Sequence, residues 1–113
     1  MWRVTLALAL LAGCSSGPSG DLQYIKQARS IGAEWATINE QASDKKLTPT
    51  YVASMHQWLR QQLQTAAESL TEPHSRYGEE IQALLRQPDD AAPYALRVHV
   101  GKLKTIEDQL ESA

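Results

Sequence analysis

The stretch Asp21–Ser43, DLQYIKQARSIGAEWATINEQAS, decides the fold. Its residues Tyr24, Ala28, Ile31, Trp35, Ile38 and Ala42 recur at alternating spacings of four and three. On a helix of 3.6 residues per turn all six fall within about 40° of one line, and Arg29 and Glu40 fall on the other side. Asp21 suits the N-cap, where a carboxylate accepts orphan backbone N–H groups and meets the positive end of the helix dipole. The stretch reads as one amphipathic helix over 21–43.

Moving toward the C-terminus, Ser43–Leu47 (SDKKL) is a polar turn, and Thr48-Pro49 has the form of a Thr cap followed by Pro at the first helical position. Leu47 and Val52 stand where a hydrophobic staple forms. The second stripe runs Val52, Met55, Leu59, Leu63, Ala66, Leu70, with Trp58 on its flank. Pro73 interrupts it, since a mid-helix proline removes a hydrogen bond and clashes one turn back. The phase nevertheless continues through Tyr77, Ile81, Leu84 and Pro88. We therefore expect a kink or break at Thr71–Pro73, with Thr71 as the cap of a new segment if the chain breaks. Pro88-Asp89-Asp90 makes the next turn. A last helix over about 91–112 carries Leu96, His99, Val100, Leu103, Ile106 and Leu110 on one face. Leu96–Val100 also alternates as a strand does, but a lone strand has no partner in this chain. Glu107, Asp108 and Glu111 oppose the dipole at the C-terminal end, which is expected to fray. Short turns make successive helices antiparallel. The expected fold is all-α: a small antiparallel three-helix bundle whose middle helix is kinked or broken near Pro73, giving four helical segments over a domain of residues 21–113.

The whole chain has 113 residues, with 11 Lys+Arg against 13 Asp+Glu, a net charge of −2, one Cys and no Phe. This is enough for one small domain and about half or less of what a Rossmann or barrel enzyme needs. There is no cluster of basic residues to neutralise phosphates, so nucleic acid is not an expected partner. A single cysteine excludes an internal disulfide framework.

The N-terminus has a different composition. Met1-Trp2-Arg3 places one positive charge before the apolar run Val4–Ala12 (VTLALALLA). Nine helical residues rise about 14 Å, under half of the roughly 30 Å hydrocarbon core, so the run is too short to span a membrane. A charge, a short apolar run and then small residues is the layout of a secretory signal. Its end, Leu11-Ala12-Gly13-Cys14, resembles the lipobox of bacterial lipoproteins: Leu, a small residue, Gly or Ala, then Cys. The resemblance covers residues 1–14. It implies that residues 1–13 are a signal peptide cut between Gly13 and Cys14. It further implies that the Cys14 thiol carries diacylglycerol and the new amine an acyl chain, so that the chain's expected partner is a lipid bilayer reached through Cys14. In that family an acidic residue after the Cys retains the protein at the inner membrane. Ser15 is not acidic, which favours the periplasmic face of the outer membrane. Cys14 and the stretch Ser15–Gly20 (SSGPSG) read as a lipidated residue and flexible tether over 14–20, whose six linker residues reach at most about 20 Å.

Few residues suggest chemistry. His56, His74 and His99 fall on or near the apolar stripes, so they are candidate metal or small-ligand residues between the helices. Bundle metal sites usually add a Glu three residues before the His, whereas here Ala53, Thr71 and Leu96 occupy those positions. That pattern favours histidines at the core boundary and no bound metal or other cofactor. Trp35 and Trp58 read as packing anchors among many alanines. Ser54, Ser69 and Ser75 lack a nucleophile-elbow context, and the adjacent acid pairs Glu79-Glu80, Asp89-Asp90 and Glu107-Asp108 point apart on a helix. The expected role is therefore a membrane-anchored envelope lipoprotein with a helical protein-interaction or scaffolding body, and not an enzyme. Its partner would be an envelope protein or a second copy of itself. The alternative is a periplasmic metal or small-ligand carrier using the histidines.

Overall fold

The computed structural model describes residues 17–113; the expected lipobox, cleavage position and lipidated Cys14 lie outside the described residues. The described chain is all-α, with four helices: α1 Gly17–Ser43, α2 Pro49–Glu68, α3 Arg76–Leu85 and α4 Pro93–Glu111. Ion pairs and hydrogen bonds set their directions. Lys26 meets Glu111 and Glu40 meets Arg97, so α1 and α4 run antiparallel. Asp21 meets Thr71 at one end of α2 and Asn39 meets His56 near the other, so α1 and α2 do as well.

Of the two outcomes expected near Pro73, a kink or a break, the chain takes the break: α2 and α3 are two separate helices. The Ser69 N–H turns back to the Thr65 and Ala66 carbonyls and closes α2. Pro73 then has no N–H to continue a ladder. Ser75, and not Thr71, caps α3: its Oγ accepts the Gly78 N–H at 3.1 Å and donates to the Glu72 carbonyl at 2.6 Å. The connection is tight enough to require glycine at position 78, where an added Cβ would stand 2.1 Å from the Pro73 carbonyl oxygen. Backbone cannot yield as a side-chain tip can. Gly78→Ala is expected to lower stability by about 1–3 kcal/mol, read as a fall in the urea midpoint at unchanged slope.

The cap of α2 matches the sequence reading. Thr48 Oγ1 accepts the Tyr51 N–H at 3.2 Å, with Pro49 at the first helical position. Before it, α1 ends with Lys46 N–H on the Gln41 carbonyl and Lys45 N–H on the Ala42 carbonyl. Lys45 sits in the left-handed region at φ 60°, the position of a Schellman motif that glycine usually fills.

The expected start of α1 is corrected. The helix begins at Gly17, so residues 17–20 of the expected tether form its first turn, and Asp21 is an interior residue of α1 that caps nothing on its own helix. At the other terminus α4 runs to Glu111, close to the expected end. Its acids are matched by cations: buried Glu107 takes Arg29 and Glu111 takes Lys26 at 2.8 Å from α1, and Asp108 takes Lys104 of its own helix at 2.6 Å. These pairs outweigh the unfavourable dipole, which acts over a single turn.

The core lies where α2, α3 and α4 all meet α1. On α1 it is a double row, because helices cover that helix from more than one side: Ile25, Ala28, Trp35, Ala36 and Ile38 are buried, while Tyr24 and Ile31 form the edge. Leu59 and Leu63 of α2, Tyr77, Ile81 and Leu84 of α3, and Leu96, Leu103 and Ile106 of α4 complete it. Gly32 lets Leu84 and Val100 approach α1; a Cβ there would meet Val100 Cγ2 at 2.8 Å and Leu84 Cδ2 at 3.0 Å. Trp58 is not a packing anchor, since 49% of it is exposed. It lies beyond the edge of the α2 stripe, beside Ile31, on an open groove of about 430 Å³ that Gln62 also lines.

Candidate functional site

The end of the fold opposite Gly17 carries the most distinctive surface. There the last turns of α1 (Asn39, Ala42, Ser43), the first turns of α2 (Val52, His56) and the start of α4 with its preceding loop (Asp90, Ala91, Ala92, Pro93) line a groove of about 490 Å³. Its position follows from topology: α1 ends, α2 begins and α4 begins at this same end.

A polar node builds the floor. Asn39, buried on α1, donates through Nδ2 to the Asp89 carbonyl at 2.9 Å and the Ala91 carbonyl at 2.8 Å. Two carbonyl acceptors fix which end of the amide is NH₂, so Oδ1 must accept. His56 Nε2 lies 2.7 Å from that Oδ1 and therefore carries the proton as the donor. The Trp35 indole N–H adds a bond of 2.9 Å to the same Asp89 carbonyl. Arg60 reaches across from α2: its guanidinium donates to the Leu85 carbonyl at 2.7 Å, the Gln87 carbonyl at 2.8 Å and the Asp89 carboxylate at 2.8 Å. The same guanidinium stands 4.9 Å from the Trp35 ring centre, a cation–π distance. Side chains of α1 and α2 thus hold the 86–91 connection, and that connection forms one wall of the groove. Tyr51 and Tyr94, the chain neighbours of Val52 and Pro93 in the first turns of α2 and α4, are 47% and 78% exposed.

The structure does not bring the three histidines together. His56 belongs to the groove. His74 is on the surface near the opposite end, 3.9 Å from Glu79. His99 ties α4 to α3 through a close contact of Nδ1 with Glu80, and its Nε2 lies 3.4 Å from the Gln87 amide nitrogen. A carrier that pools these residues as ligands is not assembled. The one grouping of three metal-capable side chains among the described residues is Glu107, Asp108 and Glu111, and each of these has a cation beside it. Glu111 and Asp108 in turn raise the ammonium pKa of Lys26 and Lys104, chiefly by direct hydrogen bonds. The serines serve local structure where they bond: Ser75 caps α3, and the Ser69 hydroxyl donates to the Thr65 carbonyl.

A second polar node lies at the Gly17 end. Asp21 is fully buried and accepts four hydrogen bonds: from the Thr71 N–H at 2.8 Å, the Thr71 hydroxyl at 3.0 Å, the Glu72 N–H at 3.1 Å and the Tyr77 hydroxyl at 2.7 Å. Burial pushes its carboxyl pKa up, but the four donors outweigh burial and hold it below the ordinary value. Tyr77 moves the other way, to about 12, because burial and its bond to the Asp21 carboxylate both favour the neutral phenol.

Sequence reasoning missed Asn39, Arg60, Tyr51 and Tyr94 as parts of one surface. Asn39 had a usable signal, since a polar residue beside Ile38 on the buried stripe must find partners. The tyrosines carried none, because their exposure depends on which helices cover them. The chain matches no family model, no curated protein and no solved structure.

Proposed function

We propose that this chain is a small lipid-anchored envelope lipoprotein whose helical body is a protein-interaction or scaffolding module and not an enzyme. The carrying observation is that the groove lined by Val52, His56 and Pro93 lies at the end of the fold away from Gly17, where α2 and α4 begin and carry the exposed aromatics Tyr51 and Tyr94. Along α1, 27 residues at 1.5 Å each separate the two ends by about 40 Å. Only Ser15 and Ser16 stand between Cys14 and α1. A lipid on Cys14 therefore holds one end at the bilayer and presents the other outward. The lipobox Leu11–Cys14 supports the anchor, and two or more acyl chains suffice for stable attachment. No described helix is long and apolar enough to cross a membrane. Ser15 favours the outer membrane, and the mild acidity of the chain disfavours nucleic acid as partner.

The test has two parts. The wild-type chain should fractionate with membranes and show a lipid mass on Cys14, while Cys14→Ser should leave it unprocessed or release it; a processed, membrane-bound C14S protein removes the anchor. Photocrosslinkers at Tyr51 and Tyr94 should capture protein in native membranes more strongly than one at the exposed Gln61. Equal or absent capture at all three positions removes the interaction reading.

A further inference from the structure

We propose that Arg76 of α3, with Lys102 and Thr105 of α4, forms a binding site for a phosphate group. The inference goes beyond the protein-interaction reading above and does not depend on it. Lys26, Arg29, Arg60, Arg97 and Lys104 each pair with a carboxylate. Arg76 and Lys102 pair with none among the described residues, and both line one groove of about 300 Å³ between α3 and α4. Lys46 and Arg86 also lack a carboxylate among the described residues, but neither lines this groove. Spacing explains the two free charges. Lys102 has Val98, His99, Thr105 and Ile106 three and four residues away, so its own helix offers no acid. Arg76 has Glu80 one turn on, but that carboxylate is in close contact with His99 Nδ1. The Arg76 guanidinium instead donates through Nη2 to the neutral Gln109 side chain at 2.8 Å, and makes no other hydrogen bond among the described residues.

Two cations sharing one concavity repel each other, and an anion between them turns that repulsion into attraction. The donors come from two sides: Arg76 from the first turn of α3, Lys102 and Thr105 from successive turns of α4. A carboxylate presents two oxygens in one plane. Phosphate oxygens spread tetrahedrally, so both helices can meet them at once, Arg76 with a planar fork and Lys102 with a mobile point charge. The Thr105 hydroxyl donates to the Gly101 carbonyl at 3.1 Å and can rotate toward a ligand. Buried Ile106 also lines the groove, and an apolar wall strengthens the polar contacts made beside it. Glu80 is the one acid among the lining residues, and its side chain is 15% exposed and engaged by His99. Arg76 belongs to the Gly17 end, where Thr71 Oγ1 accepts the Gly17 N–H at 3.0 Å. A lipid headgroup and a soluble phosphate present the same group to this site, and an anchor on Cys14 would bring headgroups to this end.

The full chain in nonionic detergent is titrated at fixed ionic strength with sodium phosphate and, separately, with short-chain dihexanoyl phosphatidylglycerol, while backbone amide resonances are followed. Saturable shifts should centre on Arg76, Lys102 and Thr105 with at least one probe. Arg76→Gln combined with Lys102→Gln should weaken that binding about tenfold or more. Both side chains are exposed, so this variant should keep the wild-type circular dichroism and thermal midpoint. Lys46→Gln combined with Arg86→Gln removes the same charge elsewhere and should leave the binding unchanged. Shifts with both probes make a soluble phosphate sufficient, and shifts with phosphatidylglycerol alone make the lipid headgroup the source. No saturable shift with either probe, or equal weakening in the two double variants, overturns the proposal. The Cys14→Ser fractionation and the crosslinking at Tyr51 and Tyr94 do not involve these side chains, so either result leaves the proposed function to stand or fall separately.

Discussion

Trp35→Ala is expected to leave the protein at the edge of unfolding. The indole is 2% exposed and packs in the centre of α1, where the other helices meet it. Emptying such a site costs about 3–5 kcal/mol through lost transfer energy and the cavity left behind. A domain of this size has about 5–15 kcal/mol in all. The loss also reaches the groove, because the Trp35 N–H bonds the Asp89 carbonyl and its ring supports Arg60. Urea titration followed by circular dichroism should show a large drop in midpoint. Trp35→Phe keeps much of the volume and leaves Asn39 on the same carbonyl, so it should cost well under half as much. Equal losses for Ala and Phe would show that the hydrogen bond, and not the packing, dominates at this position.

Asp21→Asn should cost about 2–4 kcal/mol although it preserves shape, because hydrogen bonds to a charged group are worth about 1.5–3 kcal/mol each and are not additive. The amide keeps one acceptor oxygen and turns an NH₂ group toward the donors on the other, either the Thr71 pair or Glu72 with Tyr77, which then lack a buried acceptor. The pH dependence follows from the direction of the shift. The folded-state carboxyl is held below 3.8, so its contribution is complete above that value and is lost as pH falls through the lower folded one. Tyr77 bounds the other side: its folded pKa is raised from 10.0 to about 12, so its contribution is complete below 10.0 and is lost as pH rises toward about 12. Stability of the wild-type chain should therefore fall at both ends, and D21N should flatten the acid limb. An acid limb that is as steep in D21N as in wild type would assign it to other carboxylates.

The two nodes do related work at the two ends of α1. Asp21 fastens the α2–α3 connection, and Asn39 with Trp35 fastens the α3–α4 connection. Both connections are short irregular segments whose backbone groups need partners. The long first helix supplies them from one buried face, and this lets a thin, alanine-rich core hold four helices in register. The function proposed for the chain depends on that rigidity, because it requires the groove and Tyr94 to stand at a fixed distance from the anchor.

Much of the fold was legible from sequence because helices are local. The 3/4 spacing of apolar residues, the Thr48-Pro49 start and the Pro88-Asp89-Asp90 turn are read within a few residues of themselves, and the backbone obeys them. The anchor reading is local too, resting on Leu11–Cys14. Whether Pro73 bends or divides a helix was not legible. That outcome depends on Ser75 capping α3, on Asp21, 50 residues away, satisfying Thr71, and on Gly78 fitting under a carbonyl. Nor was the fate of Asp21: as a local cap it is a surface acid, and only the arrival of Thr71 and Tyr77 makes it buried and charged. The partners of the acids at the end of α4 were not legible for the same reason, since Arg29 and Lys26 come from the opposite end of the chain. The sequence by itself thus determined the helical class and the approximate elements, because periodicity and capping act over one or two turns. The tertiary structure alone decided which polar groups are buried, which tyrosines stay exposed and that Gly32 and Gly78 admit no side chain, because those properties belong to pairs of residues that only packing brings together.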